Sequence, residues 1–108
     1  VRKVLFVCAR NRLRSPTAEA IFSGLDGVTV SSAGTAPDAE CVVSVDLLEW
    51  ADVVMVMERK QVAFLQQRFR AALARKRVVC LGIPDKFSYM QPELVALLRA
   101  KVLPGLHG

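Results

Sequence analysis

The chain has 108 residues, 53% of them hydrophobic and 23% charged, which fits one folded domain spanning 1–108 and excludes a disordered chain. Its longest uncharged run, 27–37, is short and holds Gly, Thr and Ser, so no membrane span of about 20 apolar residues is expected. The formal net charge of +5 comes in blocks: residues 1–15 hold five bases and no acid, 16–58 eight acids and no base, 59–77 seven bases and no acid. Such blocks predict a bipolar surface whose positive face steers anions.

Four short apolar, β-branched runs mark the strands: Val4–Val7, Val28–Val30, Val53–Met57 and Val78–Leu81, their starts 24, 25 and 25 residues apart. Near-continuous runs suit parallel strands covered on both faces. After the first, Ser15 can cap a helix that Pro16 opens, with Ala18, Ile21, Phe22 and Leu25 as its apolar stripe and Gly24 and Gly27 as its stop. The stretch 36–41 is the least structured, and a short helix over 44–50 leads into the third strand. Val62, Leu65, Phe69 and Leu73 stripe a third helix. Pro92 opens the last one, with Leu94, Leu97, Leu98 and Val102 inward; Pro104 and Gly105 stop it and leave His107 in a frayed tail. Cys80, inside an apolar strand, is expected in the core, as are Met55 and Met57. The alternation predicts an α/β fold of right-handed βαβ units: a four-stranded, mostly parallel sheet with helices on both faces, three layers in all. Ligands of such sheets bind beyond the carboxyl ends of the strands.

The first strand end carries the chemistry. Cys8-Ala9-Arg10-Asn11-Arg12-Leu13-Arg14-Ser15-Pro16 places a cysteine, a five-residue loop and an arginine between a buried strand and a helix start. A helix N-terminus offers free backbone N–H groups and a partial positive charge. That field also favours a thiolate, the nucleophilic form of Cys8. The loop from Ala9 to Leu13 can curl its amides into a nest around a tetrahedral oxyanion. Arg14 adds a planar fork for two phosphate oxygens, and Ser15 can donate a hydrogen bond to the sulfur. Together they describe nucleophilic phosphoryl transfer through a phosphocysteine, with charge balanced by Arg14 and the loop amides and no metal or cofactor required. The three cysteines, Cys8, Cys41 and Cys80, form no CxxC, and the sole histidine is His107, so neither zinc spacing nor a Cys–His pair is read. With no signal-peptide layout at its start, a reducing, cytoplasmic setting is expected.

The segments Val4–Cys8 and Arg14–Ala20 closely resemble the low-molecular-weight protein tyrosine phosphatases, as do Ser31–Thr35, Ala51–Glu58 and Ile83-Pro84-Asp85. The resemblance implies a parallel sheet of order 2-1-3-4. It makes Cys8 the nucleophile and Arg14 the phosphate clamp, with Asn11 holding the loop's shape, Ser15 assisting the thiolate and Ser32 joining that network. Asp85 becomes the general acid that protonates the leaving oxygen and then activates water. Phosphorylated proteins or small phosphomonoesters are the implied substrates and inorganic phosphate the product.

The chain departs from the family pattern at several points. Arg10 stands where the family usually has Gly, and Leu13 replaces its usual second Cys. Asp85-Lys86-Phe87 stands for Asp-Pro-Tyr, which makes Phe87 a candidate pocket wall and Tyr89 a second one. The chain is tens of residues shorter than typical members. Arg10 and Arg12 beside Arg14 predict a more basic mouth, suited to acidic phosphopeptides, nucleotides or nucleic-acid phosphates. Two other classes compete with the hydrolase. One is a phosphate-recognising module with little turnover; the other is a thioredoxin-coupled arsenate reductase, which needs two further relay cysteines near the fourth strand. Nucleic-acid binding through the basic run Arg68–Arg77 is compatible with any of them, and steep salt dependence would mark it.

Overall fold

A computed structural model describes the backbone of residues 2–107 and the side chains of 2–106. Four strands, β1 (Arg2–Cys8), β2 (Val28–Gly34), β3 (Val53–Val56) and β4 (Arg77–Cys80), alternate with helices α1 (Arg14–Phe22), α2 (Val45–Trp50), α3 (Arg59–Arg68), α4 (Arg70–Leu73) and α5 (Pro92–His107). The sheet is parallel throughout, where the strand spacing predicts a mostly parallel one, and its order is β2-β1-β3-β4, the order that the resemblance implies. The central strands β1 and β3 are buried on both faces, which is why Val4–Val7 and Val53–Val56 read as unbroken apolar runs.

Strand alternation divides the core in two. Val4, Phe6, Cys8 and Met55 face Ala18 and Phe22 of α1 and Leu94, Leu98, Val102 and Leu106 of α5. Leu5, Val7, Val54 and Val56 face Leu48 of α2, Leu65 of α3 and Leu73 of α4. Phe6 stacks on Phe22, with ring centroids 5.9 Å apart.

Several helix boundaries differ from expectation. Leu13, not Ser15, stands at the cap position of α1; Ser15 lies inside the helix, where its hydroxyl serves Cys8. α1 ends at Phe22, and a turn carries Leu25 out to solvent. The expected third helix is two, because Phe69 leaves helical geometry at φ −133°, ψ 34°. The break costs little hydrogen bonding: Phe69 N–H still donates to Leu65 O and Leu73 N–H to Phe69 O, and Phe69 lies against the Phe64 ring.

Pro104 and Gly105 do not stop α5, which runs on to His107. Pro104 lacks a backbone donor, but Leu106 extends the four-residue repeat of Leu94, Leu98 and Val102 onto the sheet. Arg2 Nη1 donates to Gly105 O at 3.4 Å and Leu106 O at 2.9 Å, and Arg77 Nη1 donates to Gly105 O at 3.1 Å. These arginines cap carbonyls that a helix end leaves bare. The side chain of His107 lies outside the described residues.

Cys80 is exposed rather than in the core, because it ends an edge strand and β4 is only half covered. Among the described residues no helix is long and apolar enough to cross a membrane.

Gly34, at the end of β2 opposite Cys8, lets β2 pass close to the residues after Cys8. A Cβ there would sit 2.6 Å from both Ala9 O and the Ala39 Cβ. Gly34→Ala is therefore expected to destabilise the protein by about 1–3 kcal/mol through overpacking. The urea midpoint measures it; an unchanged midpoint would mean the contact relaxes freely.

Candidate active site

β1 delivers Cys8 to the carboxyl edge of the sheet, and the chain then turns through 9–13 before α1 begins. Asn11 makes that turn with a left-handed φ of 55°, a conformation that Asn tolerates better than most residues. Its backbone N–H donates to Cys8 Sγ at 3.1 Å and its Nδ2 to Ser15 Oγ at 2.9 Å. Ser15 Oγ lies 2.9 Å from Cys8 Sγ. Three side chains thus close on one another, and all are buried. The Leu13 cap gives no side-chain hydrogen bond, so the first-turn amides of α1 keep no side-chain acceptor of their own.

Cys8 forms part of a cavity of about 230 Å³ also lined by Ala9, Arg10, Arg12, Leu13, Arg14 and Asp85. Arg14 is 2% exposed. Its Nη1 donates to Glu58 Oε1 at 2.6 Å and to the Ile83 carbonyl at 2.8 Å, and its Nε lies 3.8 Å from Asp85 Oδ1. Glu58 directly follows Met57 at the end of β3 and begins α3 in a capping box, with Gln61 Oε1 accepting from its N–H. Ile83 is pinned by its N–H to Met57 O at 2.8 Å. Gly82 supplies the positive φ of 67° before it, a turn that suits glycine. Two residues on, Asp85 reaches the cavity with a side chain 59% exposed.

A strap over 35–41 braces the loop from outside. Thr35 N–H donates to Cys8 O at 3.0 Å, Ala36 N–H to Ala9 O at 2.8 Å and Glu40 N–H to Arg10 O at 3.1 Å. The segment expected to be least structured is therefore tied to the phosphate-loop candidate along its length. It also supplies carboxylates: Asp38 pairs with Arg10 at 3.0 Å and Glu40 with Arg12 at 3.3 Å. The mouth is consequently less basic than the bare loop sequence suggests.

The structure brings together Cys8, Arg14, Asp85, Asn11 and Ser15. It separates three other expected residues from the cavity. Ser32 donates to Glu19 on α1 instead of joining the loop network, because its place on β2 puts it against that helix. Phe87 does not form the pocket wall: it is buried in the core shared with α5, where an aromatic ring gains more than at a wet rim. Tyr89, 53% exposed, sits over α1 beside Pro16, Glu19 and Ala20. Leu13 supplies the apolar side of the cavity instead. Sequence reasoning missed Glu58, Asp38 and Glu40 as partners of the three loop arginines. Glu58 did leave a signal, a lone acid at the carboxyl end of a buried strand.

Residues 3–44 match the family model described as low molecular weight phosphotyrosine protein phosphatase; that stretch runs from β1 to the start of α2. No curated protein matches the chain in sequence. Among solved structures, the low molecular weight protein tyrosine phosphatase SP-PTP from Streptococcus pyogenes is similar at a TM-score of 0.80 and 18% identity, over 99% of this chain and 92% of that one. The YwlE arginine phosphatase of Geobacillus stearothermophilus gives 0.73 and 20%, over 99% and 94%. Wzb of Vibrio vulnificus, in complex with benzylphosphonate, gives 0.71 and 22%, over 91% and 90%. At these identities the structures establish a shared fold.

The Arg14 hydrogen bond holds the Glu58 carboxyl below the usual carboxylate range, against a smaller opposing effect of burial. A carboxyl lowered on folding stabilises the protein above its unfolded value of about 4.5. That stabilisation is lost as pH falls through the lowered folded-state value. Glu58→Gln is expected to cost about 1–3 kcal/mol near neutral pH, as for a hydrogen bond to a charged group. The difference from the native chain should close as the pH drops below 4.5. Urea midpoints across pH test this; a gap that persists in acid would assign the loss to packing.

Proposed function

We propose that this chain, whose residues 3–44 carry the low molecular weight phosphotyrosine protein phosphatase pattern, is a metal-independent phosphomonoester hydrolase of the protein tyrosine phosphatase type. The observation that carries the reading is the placement of Cys8 Sγ, which receives the Asn11 N–H at 3.1 Å and lies 2.9 Å from Ser15 Oγ. The same sulfur shares one cavity with Arg14 and Asp85.

In this mechanism the Cys8 thiolate attacks phosphorus in line with the ester oxygen. The S–P bond forms as the P–O bond breaks, and Asp85 gives its proton to the departing oxygen. Loop amides and Arg14 bind the three non-bridging oxygens as their charge builds. Arg14 Nη1 is engaged by Glu58 and Ile83 O, which fixes the guanidinium plane and assigns the phosphate to the rest of the fork. Water then attacks the phosphocysteine, Asp85 takes its proton, and inorganic phosphate leaves with the thiolate restored. Ser15 donates its hydroxyl hydrogen to the sulfur in the resting and leaving states. Asn11, through Ser15, keeps that hydroxyl in place and acts as a positioning residue.

Phosphorylated proteins or small phosphomonoesters are the substrates on this reading. A reducing, cytoplasmic setting belongs to this reading, since the mechanism requires an unoxidised Cys8.

Hydrolysis of p-nitrophenyl phosphate by the reduced protein, without added metal, is the test. Turnover is expected, and Cys8→Ser should abolish it. Asp85→Asn should cost about 10²–10⁴-fold in kcat on esters with poor leaving groups and far less on p-nitrophenyl phosphate. Vanadate or phosphate binding without turnover would replace the hydrolase by a phosphate-recognising module.

A further inference from the structure

Two arginines of the loop have no part in that mechanism. Arg10 and Arg12 flank Asn11, and both line the cavity that holds Cys8. Their side chains are 60% and 49% exposed, and each meets one carboxylate, Asp38 at 59% and Glu40 at 65% exposure. The backbone beneath those carboxylates is fixed, with Ala36 and Glu40 N–H bonded to Ala9 and Arg10 carbonyls and Gly34 bridged to Val42. The carboxylates themselves stand in water. An exposed ion pair is weakly held and exchanges readily for another anion of similar geometry. Asp38 and Glu40 thus occupy places on two cavity-lining arginines where a substrate's own anionic groups can bind.

We propose, resting on the phosphatase reading, that the site selects phosphopeptides carrying Asp or Glu beside the phosphorylated residue, whose carboxylates take Arg10 and Arg12 over from Asp38 and Glu40. Once a substrate's carboxylates have displaced Asp38 and Glu40, the groups left to it in the cavity are Arg10, Arg12 and Arg14 with Asp85, and a lysine flank has nothing to offer the two arginines. A nucleic acid fits poorly. Its continuous phosphate backbone would have to pass Asp38, Glu40 and Asp85, which are interleaved with the arginines along the same rim. A peptide presents separate carboxylates on flexible stems, and each can replace one acid of the strap.

The experiment compares kcat/KM on three phosphotyrosyl peptides identical except for acidic, neutral or lysine flanks, beside p-nitrophenyl phosphate. The acidic peptide is expected to exceed the neutral one by about fivefold at low salt, mainly through KM, as two exposed charge contacts allow. That advantage should shrink at high ionic strength. Asp38→Asn with Glu40→Gln should widen it severalfold and leave p-nitrophenyl phosphate turnover unchanged, whereas Arg10→Gln with Arg12→Gln should remove the discrimination among peptides. Normal p-nitrophenyl phosphate turnover with equal rates on the three peptides, or with none on any of them, would overturn the proposal. So would a double acid variant that speeds p-nitrophenyl phosphate and the acidic peptide alike. Failure of the phosphatase reading shows separately, as absence of Cys8-dependent p-nitrophenyl phosphate turnover, and removes the proposal with it.

Discussion

Arg14 carries a permanent positive charge with 2% of its surface exposed, and the protein around the loop is arranged to make that tolerable. Taking such a charge out of water costs several kcal/mol unless fixed partners replace the solvent. The partners come from two distant points in the chain. Glu58 is held at the end of β3 by the start of α3, and the Ile83 carbonyl is held by the continuation of the β4 pairing past Cys80. Both exist at that place because parallel strands bring their carboxyl ends to one edge. The buried guanidinium, the sheet order and the direction of the loop are therefore one constraint: shift the register of β3 or β4 and the charge loses its partners.

The charge blocks along the sequence acquire a different meaning in three dimensions. Instead of making two opposed faces, the basic opening segment and the acidic middle segment meet at the loop. Arg10 lies against Asp38, Arg12 against Glu40 and Arg14 against Glu58. The three pairs grade from exposed to buried, and their energetic weights grade with them. The second basic block is partly engaged by the surface of its own fold. Arg68 covers the Phe64 ring, Lys76 Nζ takes the Glu49 and Ala51 carbonyls at the end of α2, and Arg77 reaches α5.

What could be read in advance follows from this division. The strands were legible because burial on both faces forces continuous apolar runs, and regular spacing forces crossovers between them. Cys8, Arg14 and the loop were legible because strand, turn and helix start are encoded by adjacent residues. Asp85 came through family resemblance alone; an aspartate in a loop carries no local sign of its partner across the sheet edge. Glu58, Asp38 and Glu40 act through contacts 28–44 residues away in sequence, which no periodicity reports. Phe87 and Tyr89 were misassigned for the same reason: which aromatic goes to the core is decided by where α5 lands. The end of α5 was misread because its carbonyls are capped by Arg2 and Arg77, side chains from the other end of the chain and from β4.

That clasp between Arg2 and the carbonyls of Gly105 and Leu106 bears on how the first strand is kept in place. β1 precedes the other strands in sequence yet lies in the interior of the sheet, apolar on both sides, and depends on β2, β3 and α5 to cover it. α5 docks along Val4, Phe6 and Met55, on the face of β1 that also carries Cys8. Loss of that helix would uncover the face and expose β1 to misassociation. The strand that presents Cys8 is thus anchored from its far end as well, so that fraying of α5 at Gly105 and Leu106 is felt at Arg2, on the same strand as the sulfur.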